Sequence, residues 1–169
     1  FLPVPSSVRI SAIASPSPFV VDNVDVKIPS ITRSLTFDDL TPSSSYLTFA
    51  KDAWSVTDTS VISTPVLYAE HAGTMRNATI TSPSFTDIGV FSFYYLQARD
   101  SGDDTARLTV ETSANGSSWT VATANIAPST NLQWYSYYNA NTNIHYVRIR
   151  QTTMGKRMFI DQIEVGESV

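Results

Sequence analysis

The sequence predicts an all-β protein, an antiparallel β-sandwich of the jelly-roll kind. Three observations carry that expectation. About ten short runs rich in aromatic and β-branched residues are spaced along the chain, with turn signals between them. No stretch shows the 3.6-residue apolar period of a helix. The strand number and the long polar loops favour a jelly roll over an immunoglobulin-type sandwich. The 169 residues, 42% of them hydrophobic, are enough for a domain with a sizeable core.

The chain also repeats itself. Val147 to Val165 reads VRIRQTTMGKRMFIDQIEV, and Val8 to Val26 reads VRISAIASPSPFVVDNVDV. The two align without a gap, Val8 falling on Val147 and Val26 on Val165. Self-similarity at a fixed offset marks a building unit. Residues 1–30 are therefore expected to be the closing hairpin of a preceding module plus a linker, and residues 31–169 a jelly-roll module. Pro3, Pro5, Pro16, Pro18 and Pro29 punctuate the first part, and proline is poorly tolerated in central strands. That hairpin is expected either to add an edge strand to the module or to exchange with a neighbouring chain.

Within the module, Ser34 to Leu40 reads as the opening strand and Thr41 to Ser45 as a loop. Trp54 and Val56 mark a short strand, and the polar stretch Thr57 to Thr64 reads as a loop. Val66 to Tyr68 and Ala78 to Ile80 are further short strands, with Pro83 ending the second. Gly89 to Arg99, GVFSFYYLQAR, is the strongest strand signal, followed by an acidic turn from Arg99 to Thr105. Leu108 and Val110 alternate with Arg107, Thr109 and Glu111. Asn115-Gly116 is a turn signal leading into a strand at Trp119 to Thr123. Leu132 to Tyr138 is another strand, Asn139 to Asn143 a polar loop, and the closing pair turns at Gly155.

Composition removes several function classes. The net charge of −4 and pI near 5.0 give no basic field for nucleic acid or polybasic patch for anionic lipid. Cysteine is absent, so disulfides, thiol nucleophiles and Cys-based zinc sites are excluded. No apolar run reaches membrane-spanning length. The low charged fraction of 15%, with Ser, Thr and Asn in place of charge, points to an extracellular or cell-surface protein.

The pieces Thr36-Phe37-Asp38, Ser82-Pro83, Phe91-Ser92-Phe93-Tyr94, Asn115-Gly116-Ser117-Ser118-Trp119-Thr120 and Tyr146 to Val165 resemble a family. The chain from Ser34 to Val165 resembles the jelly-roll modules of secreted, multi-modular bacterial surface proteins of the Bacteroidetes type. It looks like their cleaved-adhesin repeats, and is similar to MAM-like and galactose-binding-like modules. The resemblance implies a carbohydrate-binding module, an adhesion repeat, or an accessory domain beside a hydrolase. It also implies a structural calcium where the opening acid meets the closing acids. Asp38 and Asp161 stand at those positions, while Gln162 replaces the second closing acid.

Asp161 is informative without the resemblance. By alternation it shares a strand face with Phe159, Ile163 and Val165, and that face is expected to point at the core. A carboxylate there is costly unless paired, hydrogen-bonded or metal-bound. One reading joins it to Asp38 or Asp39 at a calcium site. The other satisfies it with backbone amides or an arginine such as Arg148. The acidic turn with Asp100, Asp103 and Asp104 lacks the rest of an EF-hand loop and reads as solvated.

Trp134, Tyr135, Tyr137 and Tyr138 crowd one strand and its end. Alternation sends Trp134 and Tyr138 one way, Tyr135 and Tyr137 the other. Exposed aromatics on a sheet face or rim stack on sugar rings, so these four are the candidate ligand-binding residues. The competing reading pairs Tyr135 and Tyr137 with cross-strand neighbours. Trp54 and Trp119 read as core. His71 and His145 stand singly, and no metalloprotease motif, nucleophile elbow or phosphate loop occurs. Glu70 with Glu111 is a nominal glycosidase pair that nothing local supports. The expectation is a non-catalytic module that partners a glycan or neighbouring modules. The alternatives are a structural or adhesive repeat and an accessory domain of a secreted hydrolase.

Overall fold

The computed structural model describes residues 30–63, 71–98, 103–139, 143–153 and 156–168. The expectations for the preceding hairpin, for Val66 to Tyr68, for Glu70 and for the Gly155 turn lie outside these residues. Among the described residues there are eleven strands and one short 3-10 turn, Asp103–Thr105, with no α-helix. The strands are β1 Ser30–Leu35, β2 Ser43–Lys51, β3 Trp54–Ser63, β4 His71–Met75, β5 Thr79–Thr81, β6 Ile88–Gln97, β7 Leu108–Ser113, β8 Thr120–Ile126, β9 Gln133–Tyr138, β10 Tyr146–Gln151 and β11 Met158–Glu167.

The strands form one curled antiparallel sheet in the order β8-β7-β10-β5-β3-β4-β11-β6-β9, with β2 added on β3 and β1 on β11. Two strands carry the sheet around its corners. The start of β3 pairs with β5 through Ser55 and Val56, and its end pairs with β4 from Thr59 to Ser63. Between them Asp58 has a φ of 44°, a left-handed kink in mid-strand. The start of β11 likewise pairs with β4 and its end with β1. The curl packs Leu108, Val110, Ile149 and Ile80 against Phe91, Phe93, Ile160, Ile163 and Val165 in one core. This is the jelly-roll sandwich the strand pattern predicts.

Several elements differ from expectation, each for a physical reason. The opening strand stops at Leu35, and the Leu40 amide then donates to the Phe37 carbonyl at 3.0 Å, closing a turn that still buries Phe37. Thr57 to Ser63 is strand rather than loop. Paired on both edges, it is held by ladder hydrogen bonds, and Thr59 and Ser60 are buried despite their hydroxyls. The β4 strand lacks an apolar signature because it needs small residues. A Cβ on Gly73 would lie 2.6 Å from the Phe37 ring.

Asp161 departs from simple alternation. It pairs with Tyr94 and Glu164 with Ser92, leaving Gln162 and Ile163 against Phe93 in a bulge, with Gln162 at a φ of 43°. The bulge moves the pattern by one residue. Met158 and Ile160 face the core before it, Ile163 and Val165 after it, and Phe159 joins a separate cluster with Ala72, Leu96 and Ile62. Asp161 is fully buried all the same, and its Oδ1 accepts a hydrogen bond from the Gln162 amide at 2.8 Å.

Candidate functional site

The aromatic strand β9 lies at one end of the sheet path and is sorted by its register with β6. Tyr135 stands opposite Phe93 and Tyr137 opposite Phe91, while Trp134 stands opposite Tyr94 and Tyr138 opposite Val90. Directly opposed residues share a face. Phe91 and Phe93 are core residues, so Tyr135 and Tyr137 lie on the inner side and Trp134 and Tyr138 on the outer.

The inner pair does two different things. The Tyr135 ring stacks on Phe93 at a centroid distance of 4.9 Å, and its hydroxyl lies 2.7 Å from Thr123 Oγ1 on β8. Because β8 is the other end of the sheet path, this contact closes the curl on itself. Burial, aided by the nearby Tyr137 and Tyr95 phenols, pushes the Tyr135 pKa above its ordinary value, against the opposing hydrogen bond from Thr123. Tyr135 therefore belongs to the closure of the sandwich, as the cross-strand reading anticipates. Tyr137 sits two residues on, where the seam opens into a cleft of about 450 Å³. Thr112, Ser113 and Ile144 form part of its wall, β8 contributes Thr120, Val121 and Ala122, and Asn115, Ser118, Asn139 and Asn143 line its rims.

Both rims are built firmly. Ser113 Oγ accepts hydrogen bonds from the Asn115 and Gly116 amides at 3.2 and 2.9 Å. Asn115 Oδ1 accepts from the Ser117 and Ser118 amides at 2.9 and 2.8 Å. Gly116 has a φ of +72°. It packs so closely that an added Cβ would lie 3.3 Å from the Tyr146 ring. On the opposite rim, the Asn139 amide donates to Gly89 O and its Nδ2 to Ile88 O, both at 2.9 Å. Side-chain bonds that replace water at a turn fix its shape before any ligand arrives.

Trp134 and Tyr138 lie away from this cleft. Trp134 packs on Tyr94 with ring centroids 4.3 Å apart, and Tyr138 is 56% exposed. Trp119 is half-buried outside the core, its ring 4.1 Å from the Arg148 guanidinium. Arg148 serves Glu111, not Asp161. Its Nε donates to Glu111 Oε2 at 2.5 Å, and Arg150 Nη2 donates to Oε1 at 3.0 Å. Burial pushes the Glu111 pKa up, but the hydrogen bonds and charges of Arg148 and Arg150 outweigh it and hold the carboxyl below its ordinary value. Held ionised between two arginines, this carboxylate carries no proton to donate as a glycosidic general acid.

The acids expected at a calcium site are engaged separately. Asp39 is exposed and ion-paired with Lys51, whose hydrogen bond lowers its pKa. Asp38 Oδ1 accepts from the His71 amide at 3.1 Å. Among the described residues, no three of His, Cys, Asp or Glu gather closely enough to hold a metal ion. The three carboxylates are thus not gathered into one cluster, and no role is derived through a calcium ion.

The cleft's Asn115, Asn139, Asn143 and Thr120 were not singled out as site residues by sequence reading. Their signal was a run of asparagines in two loops that only the fold brings together.

Several solved structures share this architecture. The K2 cleaved adhesin domain of Lys-gingipain, a Porphyromonas gingivalis protein, superposes with a TM-score of 0.57 at 14% identity, covering 79% of this chain and 96% of that one. The CBM22-1 xylan-binding domain of Paenibacillus barcinonensis Xyn10C does so with a TM-score of 0.51 at 13% identity, covering 86% and 98%. The fold is that of the cleaved-adhesin and carbohydrate-binding jelly rolls. TmCBM61, solved in complex with β-1,4-galactotriose, matches with a TM-score of 0.50 at 12% identity over 74% of this chain and 99% of that one. No protein-family model and no curated protein sequence matches the chain. These three structures are binding and adhesin modules. Among the described residues, no helix is long and apolar enough to cross a membrane.

Proposed function

We propose that this chain is a non-catalytic carbohydrate-binding module acting outside the cell, with the β8–β9 cleft as its binding site. One observation carries the reading. The seam of the sandwich opens into a cleft in which an aromatic ring, Tyr137, stands among amides and hydroxyls on pre-shaped rims. Sugars present both an apolar ring face and a fringe of hydroxyls, and such a lining answers each of them. The xylan-binding and galactotriose-bound neighbours share the fold and support the same reading. A glycan-array screen of the folded chain tests it. Binding to oligosaccharides that is lost in Tyr137→Ala, with the variant shown to be folded, is the expected outcome. No binding to any glycan by folded wild-type protein would refute it.

A second reading, an adhesive repeat that attaches to other protein, is favoured by a different place. Beside β2 an apolar groove of about 240 Å³ is lined by Leu40, Leu47, Phe49 and Val61, and Leu47 is 51% exposed.

A further inference from the structure

The cleft is made from one unusual stretch of sequence. From Thr112 to Ile144 the chain contains no Asp, Glu, Lys, Arg or His, although it holds 15 acidic and 11 basic residues elsewhere. That stretch includes both β8 and β9. Every described residue lining the cleft belongs to it. Flanking charges are occupied elsewhere. Glu111, just before the stretch, is clamped by Arg148 and Arg150, and Arg148 lies under Trp119. His145, just after it, faces Asp87 at 3.9 Å.

We infer that the cleft is selective for uncharged oligosaccharides and binds them without help from salt-sensitive pairing or a divalent cation. The inference rests on the carbohydrate reading above and specifies its ligand class. A carboxylate, sulfate or ammonium entering this cleft loses hydration and meets no opposite charge, whereas a hydroxyl meets side-chain amides and hydroxyls of matching chemistry. An acidic glycan is further disfavoured by the chain's net charge of −4. With no ion pair in the contact, screening by salt has little to act on.

The test is titration calorimetry on the whole chain with matched probes. The neutral set is xylo-, cello- and β-1,4-galacto-oligosaccharides, and the charged set is oligogalacturonate, glucuronoxylo-oligosaccharides and chitosan oligomers. The expected result is binding within the neutral set, at least about tenfold weaker binding of the charged set, and less than about a twofold change in affinity between about 50 and 500 mM NaCl or on adding EDTA. Asn143→Asp, which is nearly isosteric, is expected to make chitosan binding measurable and salt-sensitive. Charged probes binding as well as neutral ones, or affinity falling severalfold with salt or EDTA, would overturn the inference while leaving the carbohydrate reading standing. If neither set bound to folded protein, both would fall.

Discussion

The Tyr135 hydroxyl lies 2.7 Å from Thr123 Oγ1, and this contact joins the two ends of the nine-strand path that runs through the eleven-stranded sheet. It positions the cleft, because Tyr137 sits two residues further along the same strand and β8 forms the facing wall. Tyr135→Phe keeps the stack on Phe93 and removes only the hydroxyl. It is expected to cost about 0.5–1.5 kcal/mol in denaturant unfolding. A double-mutant cycle with Thr123→Ala should recover most of that loss as coupling energy. Additive single effects would show that the two hydroxyls do not bond.

Acid should weaken the fold partly through Glu111. Its folded pKa is held below the ordinary value, so its contribution is fully present above the unfolded-state pKa and is lost as pH falls through the folded one. In Glu111→Gln the stability curve should flatten over that acidic range, and at neutral pH the variant should be less stable than wild type. Thermal melts from neutral pH down to about pH 3 measure both. An unchanged acid limb would mean that Arg148 and Arg150 do not hold the carboxylate.

Gly73 faces the Phe37 ring with no room for a methyl group. Gly73→Ala is expected to destabilise by about 1–3 kcal/mol, the ordinary range for overpacking. Phe37→Leu, which withdraws the ring, should restore part of the loss in the double variant. Equal melting temperatures for Gly73→Ala and wild type would show that β4 gives way without cost.

Trp119 covers the Arg148 guanidinium at 4.1 Å. Trp119→Ala should cost about 0.5–2 kcal/mol from that contact, and should leave oligosaccharide affinity unchanged because the ring does not line the cleft. A loss of sugar binding in this variant would move the site to the outer face of β10.

The fold was legible because most strands carry their own signal. Phe91 and Phe93 on β6 announce a pleated, half-buried surface, and Asn115-Gly116 announces its turn, which the Ser113 and Asn115 side chains then hold. Strands β2 and β4 were hidden. β2 presents mostly exposed residues, and β4 uses small ones to accommodate Phe37. At Gln162 alternation fails, because a left-handed residue inside a strand leaves no mark in a hydrophobic pattern.

The site was only half legible. Of the four candidate aromatics, Tyr137 is the one that lines the cleft, and its place there depends on the register that sets it opposite Phe91. Trp134 and Tyr138 share its strand but face outward, and Tyr135 is used to close the seam. The amides that complete the cleft come from loops near Asn115 and Asn143, far apart in sequence, and only the curl of the sheet makes them neighbours.

The most direct test of the central claim is a backbone-amide NMR titration of the chain with a neutral xylo- or galacto-oligosaccharide. Shifts should concentrate at Asn115, Ser118, Thr120, Tyr137 and Asn143, and Tyr137→Ala should weaken binding by at least about tenfold. Shifts centred on Trp134 and Tyr138, with Tyr137→Ala binding as wild type does, would place the sugar on the outer face of β9 and contradict the account.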